Sequence, residues 1–430
     1  MIHYIKIRNF GPVKDDAVIN FEVAENIDED AYETVMPDGR KLLKLAYIYG
    51  ANASGKTTML RAIEFLRSLL LEPTDNKASE LQFDPFLFRD NAYNTPSYIE
   101  CSFYMDGLRH IYSIKFNKQS ILREKLLSYQ NSRPAELFSR DTDQEKRLAK
   151  IHFGSKMKVP GREKDLIQSN TLHNNTVFGA YAKTNVDIPD LEKLNKWFSS
   201  YFLGMITSAH DLTEITASMV DKNPDINVWI NDLLNKADKQ LLGVNISEWN
   251  DTPGILLDKA VAKAVAGIKS KLAKMYPATS ERKIDFMHKV DNDNSYALSI
   301  QKESSGTKRY FGLAGPLHTL THGSHLLCID ELETSLHPDL MKHFLQVFLM
   351  NSSDSQLLIT THNLSLMADA DFIRRDALWL SEKEPDGSVT LYSVADFDTS
   401  TLRKDANLIN AYKSGKLGAK PNLGSPYIAQ

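Results

Sequence analysis

Two hydrophobic periods divide this chain. Towards the N-terminus the apolar positions alternate or form short runs, the signature of strands. Val18 to Val23 reads as one strand, and Leu45 to Tyr49 as a strand buried on both faces. Tyr98 to Met105, Leu108 to Phe116 and Ile121 to Tyr129 form a β-rich series with Asp106-Gly107 as a hairpin turn, which predicts an antiparallel sheet. After the polar link Ser155-Lys156-Met157-Lys158 the period becomes helical. Leu191 to Phe202 and Ile226 to Leu242 fit amphipathic helices, and Gly254 to Tyr276 a longer one interrupted by Gly267. Arg282 to Val290 and Ser295 to Lys302 then read as a hairpin, and Tyr310 to Leu320 as an apolar helix. Runs ending near Ile329, Thr361, Leu380 and Val394 read as further strands. The pattern predicts an α/β protein in three parts: residues 1–154, a mostly helical insertion at 155–280, and a return to the core at 281–430. There is no internal repeat, and no heptad run that would build a long coiled-coil arm.

Composition narrows the class without naming it. The 430 residues are 42% hydrophobic and 25% charged, as in ordinary globular proteins. The apolar runs are too short to span a bilayer, so no membrane partner is expected, and Met1 to Lys6 lacks a signal pattern. A cytoplasmic protein is the expectation. Cys101 and Cys328 are too few for a disulfide framework or a Cys-rich zinc site; Cys328 lies in an apolar run and should be buried. A net charge of −4 gives no global argument for nucleic acid. Lys259, Lys263, Lys269, Lys271, Lys274, Arg282 and Lys283 make one stretch basic. It reads first as a solvated helix face, with nucleic-acid contact left open.

The chemistry is concentrated in four short segments. Gly50-Ala51-Asn52-Ala53-Ser54-Gly55-Lys56-Thr57 matches the phosphate loop G-x-x-x-x-G-K-[ST], between a strand and a helix over Thr58 to Leu70. Backbone N–H groups and a helix N-terminus there make an anion site. The residues expected on ATP are Gly50, Asn52, Ser54, Gly55, Lys56, Thr57 and Thr58. Lys56 should reach the β- and γ-phosphates, and the Thr57 hydroxyl should ligate Mg²⁺. His325 to Ile329 is an apolar strand ending in Asp330-Glu331. Asp330 is expected to hold Mg²⁺ and Glu331 to act as general base on the attacking water. His362 follows the strand Gln356 to Thr361 and is placed to sense the γ-phosphate. Ser304-Ser305-Gly306 precedes an apolar helix, as an N-cap or as an anion-binding end.

Order and spacing carry a resemblance. The chain resembles the ABC-type ATPases of the SMC, RecF and OLD class, and most closely the stand-alone ATP-binding proteins of abortive-infection systems. Ile5 to Pro12 resembles their first strand, Gly50 to Thr57 their phosphate loop, and Glu303 to Arg309 their signature. Asp330 to Glu333 with Leu336-His337-Pro338 resembles their Walker B segment, and Thr361-His362-Asn363 their switch histidine. Tyr412 to Pro421 is similar to endings in the abortive-infection group. Ser305 and Thr307 depart from the transporter signature, and Gln82 is a weak match to the Q-loop glutamine.

The resemblance implies an ABC-type P-loop ATPase head, with a mixed core sheet, a flanking antiparallel β-subdomain and the helical insertion. It implies homodimerisation around ATP, with Ser304, Ser305 and Gly306 of one copy facing Lys56, Thr57, Asp330, Glu331 and His362 of the other. It also brings Arg8 towards the nucleotide. Little chain follows His362 once the last strands are placed, and Asp291-Asn292-Asp293 and Asp369-Ala370-Asp371 read as turns. Nuclease or toxin activity is therefore expected of a separate effector in an antiviral assembly. A RecF-like DNA-repair ATPase and a non-hydrolysing nucleotide-gated scaffold stay open as alternatives.

Overall fold

The computed structural model describes residues 1–24, 30–130, 133–248, 282–291, 294–369, 372–398, 400–403 and 406–421. The chain forms two compact units, Met1–Tyr201 with Leu358–Gln430, and Phe202–Leu357.

The first unit opens with β1 (Ile2–Arg8) and β2 (Ala17–Asn20), a short ribbon of β3 (Glu33–Val35) and β4 (Lys41–Leu43), and β5 (Leu45–Tyr49). Helix α1 (Lys56–Leu71) follows the phosphate loop and buries Leu60, Ile63, Phe65 and Leu66 at helical spacing. Next come β6 (Ser97–Met105), β7 (Leu108–Phe116), β8 (Ile121–Tyr129), β9 (Pro134–Asp143) and β10 (Leu148–Phe153). They pair in the order β10-β9-β8-β7-β6-β1-β2, antiparallel throughout. The β6–β7 turn has φ of 49° at Asp106 and 75° at Gly107, the double left-handed geometry of a two-residue hairpin.

Helices α2 (Gly161–Asn170), α3 (Val177–Tyr181) and α4 (Pro189–Tyr201) also belong to this unit. Phe178 of α3 and Phe198 of α4 pack on Tyr112 and on each other, and Phe198 also meets Phe103, with ring centroids 5.2–6.1 Å apart. These rings explain why the chain divides at Tyr201/Phe202 rather than at the expected 154/155. The first helices of the expected insertion complete the core of the N-terminal sheet. Strands β9 and β10 had no clean sequence signal, because β9 turns a charged residue, Arg140, fully inward beside Phe138.

The second unit begins with β11 (Phe202–Ile206), followed by α5 (Thr213–Lys222) and α6 (Pro224–Ala237). The expected helix to Leu242 stops at Ala237, and Leu241 opens β12 (Leu241–Glu248). Antiparallel β13 (Arg282–Lys289) and β14 (Ser295–Ser299) complete a sheet in the order β12-β13-β14. The expected helix at 254–276, the lysines at 259–274, and residues 292–293 and 370–371 lie outside the described residues. Arg282 is buried and paired with Asp221 at 3.2 Å.

Helix α7 (Ser305–Thr321), β15 (Leu326–Ile329), parallel to β11, and α8 (Pro338–Asn351) finish this unit. Pro316 lies inside α7 and lacks the N–H that would bond the Gly312 carbonyl. The Thr216 hydroxyl of α5 donates to that carbonyl at 2.8 Å. Gly315 permits the approach, since a Cβ there would sit 2.6 Å from Thr216 Oγ1.

The chain re-enters the first unit within β16 (Gln356–Thr361), then forms β17 (Leu378–Lys383), β18 (Val389–Ser393) and α9 (Leu408–Lys413). Here the strand order is β16-β5-β17-β18, with β17 parallel to β5 and antiparallel to β18. The architecture is of mixed α/β class.

Candidate functional site

In the first unit the phosphate loop is shaped by left-handed backbone at Ala53 (φ 61°) and Gly55 (φ 86°). Gly55 caps α1 without a side chain, so no capping group occupies the helix N-terminus. A Cβ at Gly55 would lie 2.9 Å from Val389 Cγ2, so sterics and φ both require glycine. The Ser381 hydroxyl of β17 donates to the Ser54 carbonyl at 2.5 Å. The Lys56 ammonium is buried and donates to the carbonyls of Gly50 and Ala51 at 2.9 Å each. Ser54 is 3% exposed, and its hydroxyl is buried with no hydrogen-bond partner among the described residues.

Gly50, Asn52 and Ser54 line a cavity of about 930 Å³ together with His362. A volume of this size suits a nucleotide-sized ligand. His362 leaves β16 in a fixed turn. Thr361 Oγ1 accepts from the Asn363 N–H at 3.0 Å, and Asn363 Oδ1 from the Ser365 N–H at 2.9 Å. Tyr49, the residue before Gly50, donates its hydroxyl to the Asn363 carbonyl at 2.6 Å. One residue thus ties the start of the loop to the histidine turn. Glu382, Tyr412 and Lys420 form part of another wall of the cavity. Tyr412 and Lys420 had no sequence signal beyond a resemblance in the tail.

Gly55, Lys56, Thr57 and Thr58 sit at the start of α1 rather than on this cavity's lining. Thr58 packs under the turn after β1, where a Cβ on Gly11 would lie 3.3 Å from Thr58 Cγ2. Arg8 does not line the cavity. Its guanidinium grips Asp16 at 2.5 and 2.6 Å, and this pair holds the Asp16 carboxyl below its usual range. An exposed carboxylate in bidentate reach thus occupies the cation that the resemblance assigned to the nucleotide. Gln82 is exposed and donates to the Glu80 carbonyl.

In the second unit, Asp330 directly follows β15, and its N–H donates to the Ile206 carbonyl at 2.8 Å. Glu331 follows with φ 52°, a left-handed conformation that costs a non-glycine residue roughly 1–2 kcal/mol. Ser304 is the N-cap of α7; its Oγ accepts from the Thr307 N–H at 3.0 Å. Ser305 lines a second cavity of about 450 Å³ with His210, Asp211, Arg309 and Ser335. Gly306 fits against the turn after Glu331, where a Cβ would sit 3.2 Å from the Ser335 carbonyl oxygen. Arg309 donates to the His210 carbonyl at 3.2 Å, while its Nε and Nη2 are buried without hydrogen bonds among the described residues. Burial lowers its pKa, with Asp211 opposing. His210 and Asp211 had no sequence signal, because their place beside α7 depends on how β11 and α5 pack. Cys328 is buried, as its apolar run predicted. Among the described residues, no three His, Cys, Asp or Glu side chains cluster as a metal site, and no helix is long and apolar enough to cross a membrane.

A buried strand, a left-handed glycine loop and an uncapped helix define a P-loop nucleotide-binding protein of the α/β class. Residues 45–368 match the model of the family described as "AAA domain, putative AbiEii toxin, Type IV TA system", and the chain belongs to that family. No curated protein matches the chain. Among solved structures it is similar to an SMC head bound to the C-winged helix domain of ScpA, with 12% identity over 91% of this chain and 97% of that one, at a TM-score of 0.47. It is also similar to the SMC head domain from Thermotoga maritima, with 14% identity over 91% and 98% and a TM-score of 0.41.

Proposed function

We propose that the protein is a Mg²⁺-dependent ATP hydrolase acting as a switch. The observation that carries this reading is the cavity shared by Gly50, Asn52, Ser54 and His362, with the buried Ser54 hydroxyl in its wall lacking a partner among the described residues. A buried polar group without a partner is costly unless a ligand supplies one. The uncapped α1 N-terminus and the Lys56 ammonium suit a polyphosphate chemically. By their sequence motifs we assign Mg²⁺ to the Thr57 hydroxyl and the Asp330 carboxylate, oxygen donors of the kind that a hard cation takes. Bound there, Mg²⁺ would neutralise phosphate charge. Lys56 would leave the two loop carbonyls for the β- and γ-phosphates. Glu331 would take the proton of the attacking water, and His362 would hydrogen-bond the terminal phosphate.

The same reading extends to assembly. Ser305 and Gly306 stand at the N-terminus of α7, a helix end suited to an anion, and we assign them to ATP held by a second copy. The family's description names a toxin–antitoxin system. The AbiEii name in that description is the support for an abortive-infection setting, and a sensor or regulator of a separate effector, a nuclease or toxin, in antiviral defence is our own assignment within it. Phosphate release from Mg²⁺ and ATP tests the hydrolase. Wild type should turn over repeatedly, and Lys56→Ala should lose at least about 100-fold of that rate, as removal of a single charge-stabilising donor commonly does. Multiple turnover by Lys56→Ala equal to wild type would refute the assignment.

A further inference from the structure

Residues 414–421, after α9, contribute to the wall of the phosphate-loop cavity. Tyr412, Lys420 and Pro421 line the cavity that Gly50, Asn52, Ser54 and His362 also line. Three left-handed residues, Gly415 (φ 81°), Gly418 (φ 67°) and Ala419 (φ 54°), fold the segment back on α9. The Tyr412 hydroxyl donates to the Ala419 carbonyl at 3.0 Å. The Tyr392 hydroxyl, on β18, lies 2.8 Å from Glu382 Oε2 and 2.9 Å from the Leu417 carbonyl, sharing one proton between two acceptors. Leu417 and Ala419 are each 1% exposed. Gly418 admits no side chain, because a Cβ would lie 2.5 Å from Tyr392 Oη and 2.6 Å from Glu382 Oε2.

Of the two lysines in this loop, Lys416 and Lys420, Lys420 lines the cavity, as does Lys383 of β17. The exposed Lys420 ammonium donates to the Lys413 carbonyl at 2.7 Å, at the C-terminal end of α9. Two of its three protons are left to donate elsewhere. The lining of the cavity includes the leading residues of the phosphate loop and His362, not Thr57 or Thr58. On the ATP reading, in which His362 meets the terminal phosphate, that phosphate lies at this end of the site.

We propose that Lys420 is a nucleotide-contacting residue that meets the terminal phosphate of ATP, and that the Tyr412, Tyr392 and Glu382 contacts hold it in place. Resting on the ATP reading above, this makes the C-terminal loop part of the nucleotide site. It also links the loop to the phosphate loop through β17, where Ser381 holds Ser54 and the next residue, Glu382, accepts from the Tyr392 hydroxyl that also reaches the Leu417 carbonyl. An exposed ammonium on a phosphate is worth less than a buried one, so the expected effect is moderate.

The test is equilibrium binding of labelled ATP and ADP, each with Mg²⁺, to the full chain carrying Lys420→Ala, Lys420→Arg or Lys56→Ala. Lys420→Ala should weaken ATP binding by about three- to tenfold and ADP binding by less than about twofold, with Lys420→Arg restoring most of the loss. Lys420 is exposed, so the thermal midpoint should not move. Binding of ATP by Lys420→Ala within about twofold of wild type, while Lys56→Ala loses it, would overturn the proposal and leave the ATP reading intact. An equal loss for ADP and ATP would overturn the terminal-phosphate assignment. Absence of ATP binding by wild type would overturn both readings.

Discussion

Glu124 and Arg140 are wholly buried in the antiparallel sheet of the first unit, 4.0 Å apart. Glu124 accepts from the Tyr112 hydroxyl and the Val177 N–H, both at 2.9 Å. Arg140 donates to the Leu172 and His173 carbonyls, while its Nε and Nη1 make no hydrogen bond among the described residues. Desolvation outweighs the nearby guanidinium and pushes the Glu124 carboxyl from its ordinary 4.5 up to about 7. Between those values the folded chain holds a proton that the unfolded chain has released. Stability from this group is therefore fully present below the lower value and falls as pH rises towards the upper one. Gln cannot titrate. Urea unfolding at about pH 5 and about pH 7.5 should show Glu124→Gln gaining roughly 1–3 kcal/mol relative to wild type on going to the higher pH. A difference that does not change with pH would show that Glu124 ionises normally inside the fold.

At the level of elements, the α5–α7 contact replaces a backbone hydrogen bond with a side chain. Pro316 leaves the Gly312 carbonyl without its helical donor, and Thr216 fills the gap. Thr216→Val keeps the shape and removes the donor, so it should cost about 1–3 kcal/mol in chemical unfolding. Thr216→Ser, which keeps the hydroxyl, should cost less. Much of the elements' placement was legible in the chain. Leu45 to Tyr49, the phosphate loop and α1 follow from apolar runs and fixed glycines, which are local properties. Strands β9 and β10 were not legible, because Arg140 faces inward only by virtue of Glu124 on β8. Nor was the end of α6 at Ala237, since Leu241 and Val244 are as apolar as a further helical turn would be.

For the whole molecule, the proposed switch makes a statement about assembly. Glu331→Gln keeps the size of a side chain already held in left-handed backbone and removes the base. Hydrolysis should fall by about 100-fold or more, the scale of general-base loss. With ATP and Mg²⁺, light scattering should then show a shift from one copy to two, and the shift should vanish when Lys56→Ala is added. A Glu331→Gln protein whose mass ignores ATP would sink the two-copy reading, while leaving ATP binding by the first unit untouched.

The sequence by itself determined the nucleotide-binding class. A phosphate loop is a local device, and eight consecutive residues specify its anion site through backbone amides, a lysine and a helix end. Strand and helix periods did the same for most elements. Only the tertiary structure decided what surrounds that device. It brought His362 to the loop's leading residues, gave Arg8 to Asp16, folded α3 and α4 into the N-terminal core, and set Lys420 on the cavity wall. These are pairings between residues far apart in the chain. They are fixed by complementary surfaces and hydrogen bonds that form when the elements pack, and no local pattern encodes them.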